Sequence, residues 1–224
     1  MNFIAIEGLD GAGKSTQVRL LQSYLEERGV RCKYLHFPRV ETEIWGELVA
    51  KFLRGDFGKI SEVNPYLVAL IYAEDRRAAA TEIEAWIKEG YFVIVDRYVY
   101  SNVAFQCAKV SDNAERDKLR RWILHLEYEH FKIPQPQLSL FLDVPFSFTQ
   151  KKLTEQRKGD DRSYLEGKQD IHEANLDFQQ AVREIYLAQQ PLDANFRLIN
   201  CCTEQGEMNT PQRTFEQLRE FVKL

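Results

Sequence analysis

Nowhere does the chain hold an apolar run approaching the roughly 20 residues that a membrane span requires. Its first residues also lack the charged segment and cleavable apolar stretch of a secretory leader. Basic side chains are not in surplus: 30 Lys and Arg stand against 34 Asp and Glu, a formal charge of −4. Phosphate neutralisation supplies most of the affinity of general nucleic-acid binders, so this balance argues against that class. Cysteine is scarce, and Cys32, Cys107, Cys201 and Cys202 lack the paired spacing of a zinc site or disulfide framework. His36, His125, His130 and His172 show no metal-ligand spacing either, and most of them read as structural. No Asn-Lys-x-Asp run for guanine reading occurs, and no internal repeat, low-complexity tract or linker interrupts the sequence. What is there is 44% hydrophobic and 29% charged, enough apolar material for a real core. The 224 residues fit one α/β domain over 1–224, soluble and cytoplasmic.

Asn2 to Glu7 is short, apolar and rich in strand formers. After the glycines that follow, Val18, Leu20, Leu21, Tyr24 and Leu25 recur at helical spacing up to Gly29, a natural helix stop. Further strands are predicted over Arg31–Phe37, Phe92–Val95, Leu138–Leu142 and Phe196–Asn200. Helices are predicted over Glu43–Leu53, Pro65–Lys88, Glu115–His130, Phe148–Arg157, Asp170–Gln189 and Pro211–Leu224. The polar run from Arg157 to Gln169 reads as an exposed, mobile loop. Phe92-Val93-Ile94-Val95 is apolar on both faces, which suits a central parallel strand. Strands alternating with helices predict a three-layer α/β/α fold with a five-stranded parallel sheet covered on both faces.

Gly8-Leu9-Asp10-Gly11-Ala12-Gly13-Lys14-Ser15 fits G-x-x-x-x-G-K-[ST] at every fixed position, between a strand and a helix. Glycines let the backbone turn with its N–H groups inward, making a concavity for phosphate oxygens, and the helix N-terminus adds partial positive charge. Lys14 suits the β- and γ-phosphates and the Ser15 hydroxyl suits Mg²⁺. The motif speaks only of a nucleoside triphosphate.

Two further strands run into Phe37-Pro38-Arg39 and Asp96-Arg97-Tyr98, and in a parallel sheet both end on the phosphate-loop side. Arginine forks there suggest a second anionic group, because they hold phosphate bidentately. Tyr72 and Arg76, four apart on one helix, make a plausible nucleobase clamp by stacking and hydrogen bonding. Taken singly, Arg39 and Arg76 also read as surface charges, Tyr72 as core, and Asp96 as a helix cap paired with Arg97.

Taken together, these elements resemble the thymidylate kinase family. The matching residues are Gly8-Leu9-Asp10, Phe37-Pro38-Arg39, Tyr72-x-x-x-Arg76, Asp96-Arg97-Tyr98 with Ser101-Asn102, and Pro136-x-Leu138 to Asp143-Val144. The resemblance implies an ATP site built from Gly8, Leu9, Asp10, Gly11, Ala12, Gly13, Lys14, Ser15 and Thr16. It implies a dTMP site in which Arg39 and Arg97 grip the acceptor phosphate beside Phe37 and Pro38, and Asp10 meets the 3′-hydroxyl or helps position the phosphates. Tyr72 would stack on thymine, Arg76, Asn102 and Gln106 would read its edge, and Phe105 would crowd the ribose 2′ position, with Ser101 alongside. Ser15 and Asp96 would hold Mg²⁺.

Since the phosphate loop carries no arginine, a lid at about 157–169 would bring Arg157 or Arg162 to the transferring group. With Lys14, Arg97 and Asp10 these form the expected catalytic set. The chain departs from the family pattern in having tyrosine at 72, where phenylalanine is common, and Leu165 between Tyr164 and Glu166. The implied reaction is ATP + dTMP giving ADP + dTDP in a homodimer, with no nucleic-acid or membrane partner. The alternatives are a deoxynucleoside kinase, another nucleoside monophosphate kinase, or a non-catalytic nucleotide-binding module.

Overall fold

The computed structural model describes residues 2–154, 164–168, 170–173 and 175–222. Five strands form one sheet: β1 Phe3–Gly8, β2 Cys32–His36, β3 Phe92–Asp96, β4 Leu138–Asp143 and β5 Phe196–Asn200, in the order β2-β3-β1-β4-β5. Every pairing is parallel. β3 lies between β2 and β1, an interior parallel strand as its two-sided apolarity predicts, and β1 holds the middle of the sheet. Both strands are buried along their whole length.

Alternation of side chains across the pleat sorts the core into two layers. Phe3, Ala5, Val93, Val95 and Phe141 face one side, packed by α3 (Pro65–Lys88), α4 (Val99–Cys107), α5 (Asn113–Leu124) and α7 (Leu176–Leu187). Ile4, Ile6, Phe92, Ile94 and Leu140 face the other, covered by α1 (Lys14–Glu26) and α8 (Pro211–Phe221). This is the predicted three-layer α/β/α fold. A third cluster joins α2 (Trp45–Leu53) to α3 and Leu165, while α6 (Phe146–Thr154) follows β4. Among the described residues no helix is long and apolar enough to cross a membrane.

Three elements depart from expectation, and each departure bears on the cavity. α4 was not predicted, because all nine of its residues are buried and a helix buried all round has no amphipathic stripe to read. The helix expected over Glu115–His130 is α-helical only to Leu124. It then widens into a π-helical turn, His125–His130, where the Phe131 N–H reaches the Leu126 carbonyl at 2.8 Å and Glu127 is fully buried. The helix expected from Asp170 begins only at Leu176. Its cap is Asn175, whose side chain accepts from the Phe178 N–H at 3.1 Å, so Asp170 to Glu173 are left as turns.

Candidate active site: one cavity at the strand ends

The C-terminal ends of β1, β2 and β3 open on a cavity of about 640 Å³, within the range of small-molecule sites. Its floor is the turn after β1. Gly11 and Gly13 take φ of 77° and 83°, the left-handed region that only glycine enters at little cost, and the helix starts at once with Lys14. The Lys14 ammonium donates to the carbonyls of Leu9 at 3.1 Å and Gly8 at 3.4 Å, which stores it beside the cradle. Asp10, Gly11, Ala12, Gly13, Lys14, Ser15 and Thr16 all line the cavity, whereas Gly8 and Leu9 lie beneath it.

Arg97, the first residue after β3, stands beside the cradle at Asp10. Its φ of 66° is a left-handed conformation that a side-chain-bearing residue rarely adopts. The surroundings hold it there: its N–H donates to the Ile6 carbonyl at 2.9 Å, and its guanidinium donates to Asp10 at 2.8 Å and Ser101 Oγ at 3.2 Å. Strain of this kind collects at functional positions. Burial disfavours the guanidinium charge, but Asp10, Tyr186, Asp96 and Glu7 outweigh it and keep Arg97 firmly protonated. Arg97 therefore pairs with Asp10 and not, as one reading had it, with Asp96.

Asp96 is buried too, yet Lys14, His36 and Arg97 together hold its carboxyl below the ordinary value, so it stays anionic. Its Oδ1 is buried without a hydrogen-bond partner. Beneath Arg97 lies the fully buried Glu7, which accepts from the Tyr98 N–H at 3.0 Å and Tyr186 OH at 3.0 Å; burial raises its carboxyl despite these donors.

The inner wall comes from α3 and α4. Tyr72 and Arg76 share one face of α3 and both reach the cavity, as do Ser101, Asn102, Phe105 and Gln106 from α4. Arg76, only 2% exposed, forms a two-pronged ion pair with Glu127, one prong at 2.7 Å. Glu127 in turn accepts from Asn102 Nδ2 at 2.9 Å, and Ala69 O accepts from the same nitrogen at 3.0 Å. With its donors thus taken, Asn102 keeps Oδ1 buried and unpartnered, and Gln106 keeps Nε2 likewise. An acid on the apolar stripe of Leu119 and Ile123 was the signal for Glu127 that sequence reasoning passed over. Breaking a buried ion pair strands a charge, so Arg76→Met is expected to destabilise the fold by about 3–5 kcal/mol in urea unfolding. A loss below about 1 kcal/mol, typical of exposed pairs, would contradict the burial of this one.

The outer wall was not foreseen. Tyr164, Asp170, His172 and Glu173 line the cavity from the segment ahead of α7, and the His172 ring packs against Phe105 with centroids 4.9 Å apart. Asp170 accepts from the His172 N–H at 2.8 Å and the Tyr164 hydroxyl at 3.2 Å. Gln179 Nε2 joins this segment to the cradle, donating to the His172 carbonyl at 2.9 Å and Asp10 at 3.3 Å. The sequence signal was Asn175, a strong N-cap, which places everything before it outside the helix. His172 is thus a cavity residue rather than a purely structural histidine.

Burial, with Asp10 and Glu173 nearby, pushes the Asp170 carboxyl up to about 7. The folded state then holds a proton between about pH 4 and 7 that the unfolded chain has released, so this group's contribution to stability falls as pH rises through that window. Wild type is expected to lose stability between pH 5 and 7.5 relative to Asp170→Asn, by at most about 1.4 kcal/mol per pH unit. Equal pH slopes for the two proteins in urea unfolding would refute this.

Phe37 and Pro38 line the cavity after β2, but Arg39 does not. Asp75 holds it away: the Arg39 backbone N–H and Nε each donate to that carboxylate at 2.9 Å, and Nη2 donates to the Asp75 carbonyl at 2.6 Å. The two arginines expected to act together are therefore placed differently, with Arg97 in the wall and Arg39 behind it. Arg157 and Arg162 lie outside the described residues, with most of the expected lid.

A family model described as thymidylate kinase matches residues 6–209. The chain belongs to the thymidylate kinase family. It is 34% identical over 141 residues to a thymidylate kinase of Mycobacterium tuberculosis, a stretch covering 63% of this chain and 65% of that one. It is likewise 34% identical over 149 residues to human thymidylate kinase, covering 66% of this chain and 64% of the relative. The chain thus spans just under two thirds of the length of these relatives. A solved structure of thymidylate kinase from Candida albicans superposes with a TM-score of 0.73 at 25% identity, covering 99% of this chain and 90% of that one. As a thymidylate kinase family member, the chain has its phosphate cradle, Arg97 and the α3–α4 wall around one cavity. Among its described residues no group of three or more His, Cys, Asp or Glu is gathered as a metal site.

Proposed function

We propose that the chain transfers the γ-phosphoryl group of ATP to dTMP, giving ADP and dTDP. The observation that carries this reading is the juxtaposition, within one cavity, of a triphosphate cradle and a polar wall suited to a base, with Arg97 between them. A dTMP phosphate is already anionic at neutral pH, so attack on the γ-phosphorus requires no strong general base. The chemistry reduces to placing two anions in line and stabilising charge on the transferring oxygens.

Lys14 leaves the Gly8 and Leu9 carbonyls to take the β- and γ-phosphates. Arg97, fixed by Asp10 and Ser101, presents its fork to the acceptor phosphate and offsets repulsion between the two substrates. Asp10 also faces the sugar, Tyr72 covers the base, Phe105 crowds the 2′ position, and Arg76, Asn102 and Gln106 read the base edge. Arg39 reaches the acceptor phosphate only by releasing Asp75, so Arg97 carries the larger share.

Mg²⁺ in these reactions is held mostly by phosphate oxygens and one or two protein oxygens, so a site without a carboxylate cluster suits it. The Ser15 hydroxyl and the unpartnered Asp96 Oδ1 fit that role, and the ion would neutralise charge on the phosphates. One domain over 1–224, a lid at about 157–169 supplying Arg157 or Arg162, and a cytoplasmic homodimer complete the reading.

Steady-state rates with ATP·Mg²⁺ and dTMP, dUMP or thymidine test it. Turnover of dTMP should exceed that of thymidine by at least about 10³, because thymidine lacks both the anionic nucleophile and the group Arg97 holds. Equal or faster thymidine turnover would make the chain a nucleoside kinase, and negligible turnover with tight ATP binding a binding module.

A further inference from the structure

We infer that Lys109 is a positioning residue that sets which end of the Gln106 side-chain amide faces the nucleotide base. The inference rests on reading this cavity as the dTMP site, and nothing in that reading involves Lys109. The residue follows α4, just past the helix end, with its N–H on the Gln106 carbonyl at 3.2 Å. Its ammonium turns back under the helix, donating to Gln106 Oε1 at 2.7 Å and lying 4.5 Å from the centroid of the Phe52 ring on α2. The ring face attracts the ammonium, but burial strips its hydration and pushes Lys109 down to about 7. The geometry shows what the ammonium does there.

A glutamine amide has two ends of nearly equal shape and opposite hydrogen-bonding sense, so its partners decide which way it points. Below about pH 7 Lys109 is an ammonium, which can only donate, and it occupies the oxygen. Gln106 must then turn its NH₂ away, and Nε2 is the atom left buried and unpartnered in a residue that lines the cavity. Asn102 is fixed in the opposite sense, since its Nδ2 is taken by Ala69 and Glu127 and Oδ1 is left over. The wall thus offers one acceptor and one donor in a defined arrangement. Thymine presents the complement, an N3–H flanked by carbonyls. Set with Asn102 Oδ1 against N3 and Gln106 Nε2 against the C4 substituent, the wall mismatches cytosine, which has a bare N3 and an amine at C4. If the Gln106 amide were free to flip, Oε1 could accept from that amine.

The test compares, at pH 6, kcat/KM for dTMP and dCMP in wild type, Lys109→Met, Lys109→Arg, Gln106→Leu and the double variant Gln106→Leu/Lys109→Met. Losing one hydrogen bond's worth of orientation should lower the dTMP-to-dCMP ratio of Lys109→Met by about fivefold to tenfold. Lys109→Arg, still a donor, should keep the ratio within about threefold of wild type. In the Gln106→Leu background, adding Lys109→Met should leave the ratio unchanged, because the effect passes through Gln106. An unchanged ratio in Lys109→Met, or a shift that persists without Gln106, overturns the inference. Loss of overall activity with the ratio preserved also overturns it, since that is a structural role. Calorimetric binding of the two nucleotides gives the same ratio without turnover. A wild type that binds dTMP but does not phosphorylate it would therefore contradict the kinase reading and leave the Lys109 inference to stand on the binding ratios.

Discussion

Lys14→Ala is expected to lower kcat by about 10³ or more with ATP and dTMP, while the protein still folds. The ammonium rests on the carbonyls of Gly8 and Leu9, a poor match for a full charge compared with phosphate oxygens. Its removal leaves His36 and Arg97 to hold Asp96 anionic, so the fold survives, and it takes away a charge that is stronger on the transferring group than on the free nucleotide. An interaction of that kind is lost from kcat rather than from KM alone. Circular dichroism and a thermal melt close to wild type are part of the prediction. A variant with wild-type kcat and raised KM for ATP would show that Lys14 only anchors the donor.

The second large effect is expected at the acceptor phosphate. Arg97→Ala should lower kcat/KM for dTMP by about 10²–10³, chiefly through KM, with KM for ATP shifted by less than about threefold. The asymmetry follows from position. The Arg97 guanidinium meets the turn after β1 at the Asp10 carboxylate, 2.8 Å away, whereas the donor phosphates are taken by that turn's backbone N–H groups and Lys14. Arg97→Lys keeps the charge but not the fork, and should recover only part of the loss. Equal weakening of both substrates would contradict the assignment. Asp10 would lose that ion pair in the alanine variant, but it keeps the Gln179 amide at 3.3 Å, and at 22% exposure water compensates part of the cost.

Legibility in the sequence followed the physics of each element. The phosphate cradle could be read outright, because the turn demands glycine at Gly11 and Gly13 and the chemistry demands Lys14 and Ser15 at set spacing. The parallel sheet could be read from strands such as Val93-Ile94-Val95, where apolar side chains serve both helical layers. α4 could not, although it carries Ser101, Asn102, Phe105 and Gln106, because burial on every side erases periodicity. Nor could the Arg39–Asp75 pair, which joins residues 36 apart and moves a strand-end arginine out of the cavity wall. Glu127 was visible as an acid on an apolar stripe, but its partner Arg76 lies 51 residues away. Sequence periodicity reports local geometry, and these pairings are consequences of the tertiary fold.

The central claim is that donor and acceptor meet head to head in one cavity. The most direct measurement is calorimetric binding of a dinucleotide in which adenosine and thymidine are joined 5′ to 5′ through a pentaphosphate bridge. It should bind about 10²–10⁴-fold more tightly than either nucleotide, since the second contact becomes intramolecular, and either ATP or dTMP alone should displace it. A dinucleotide that ATP displaces but that binds alongside dTMP would place the two nucleotides in separate sites and contradict the account.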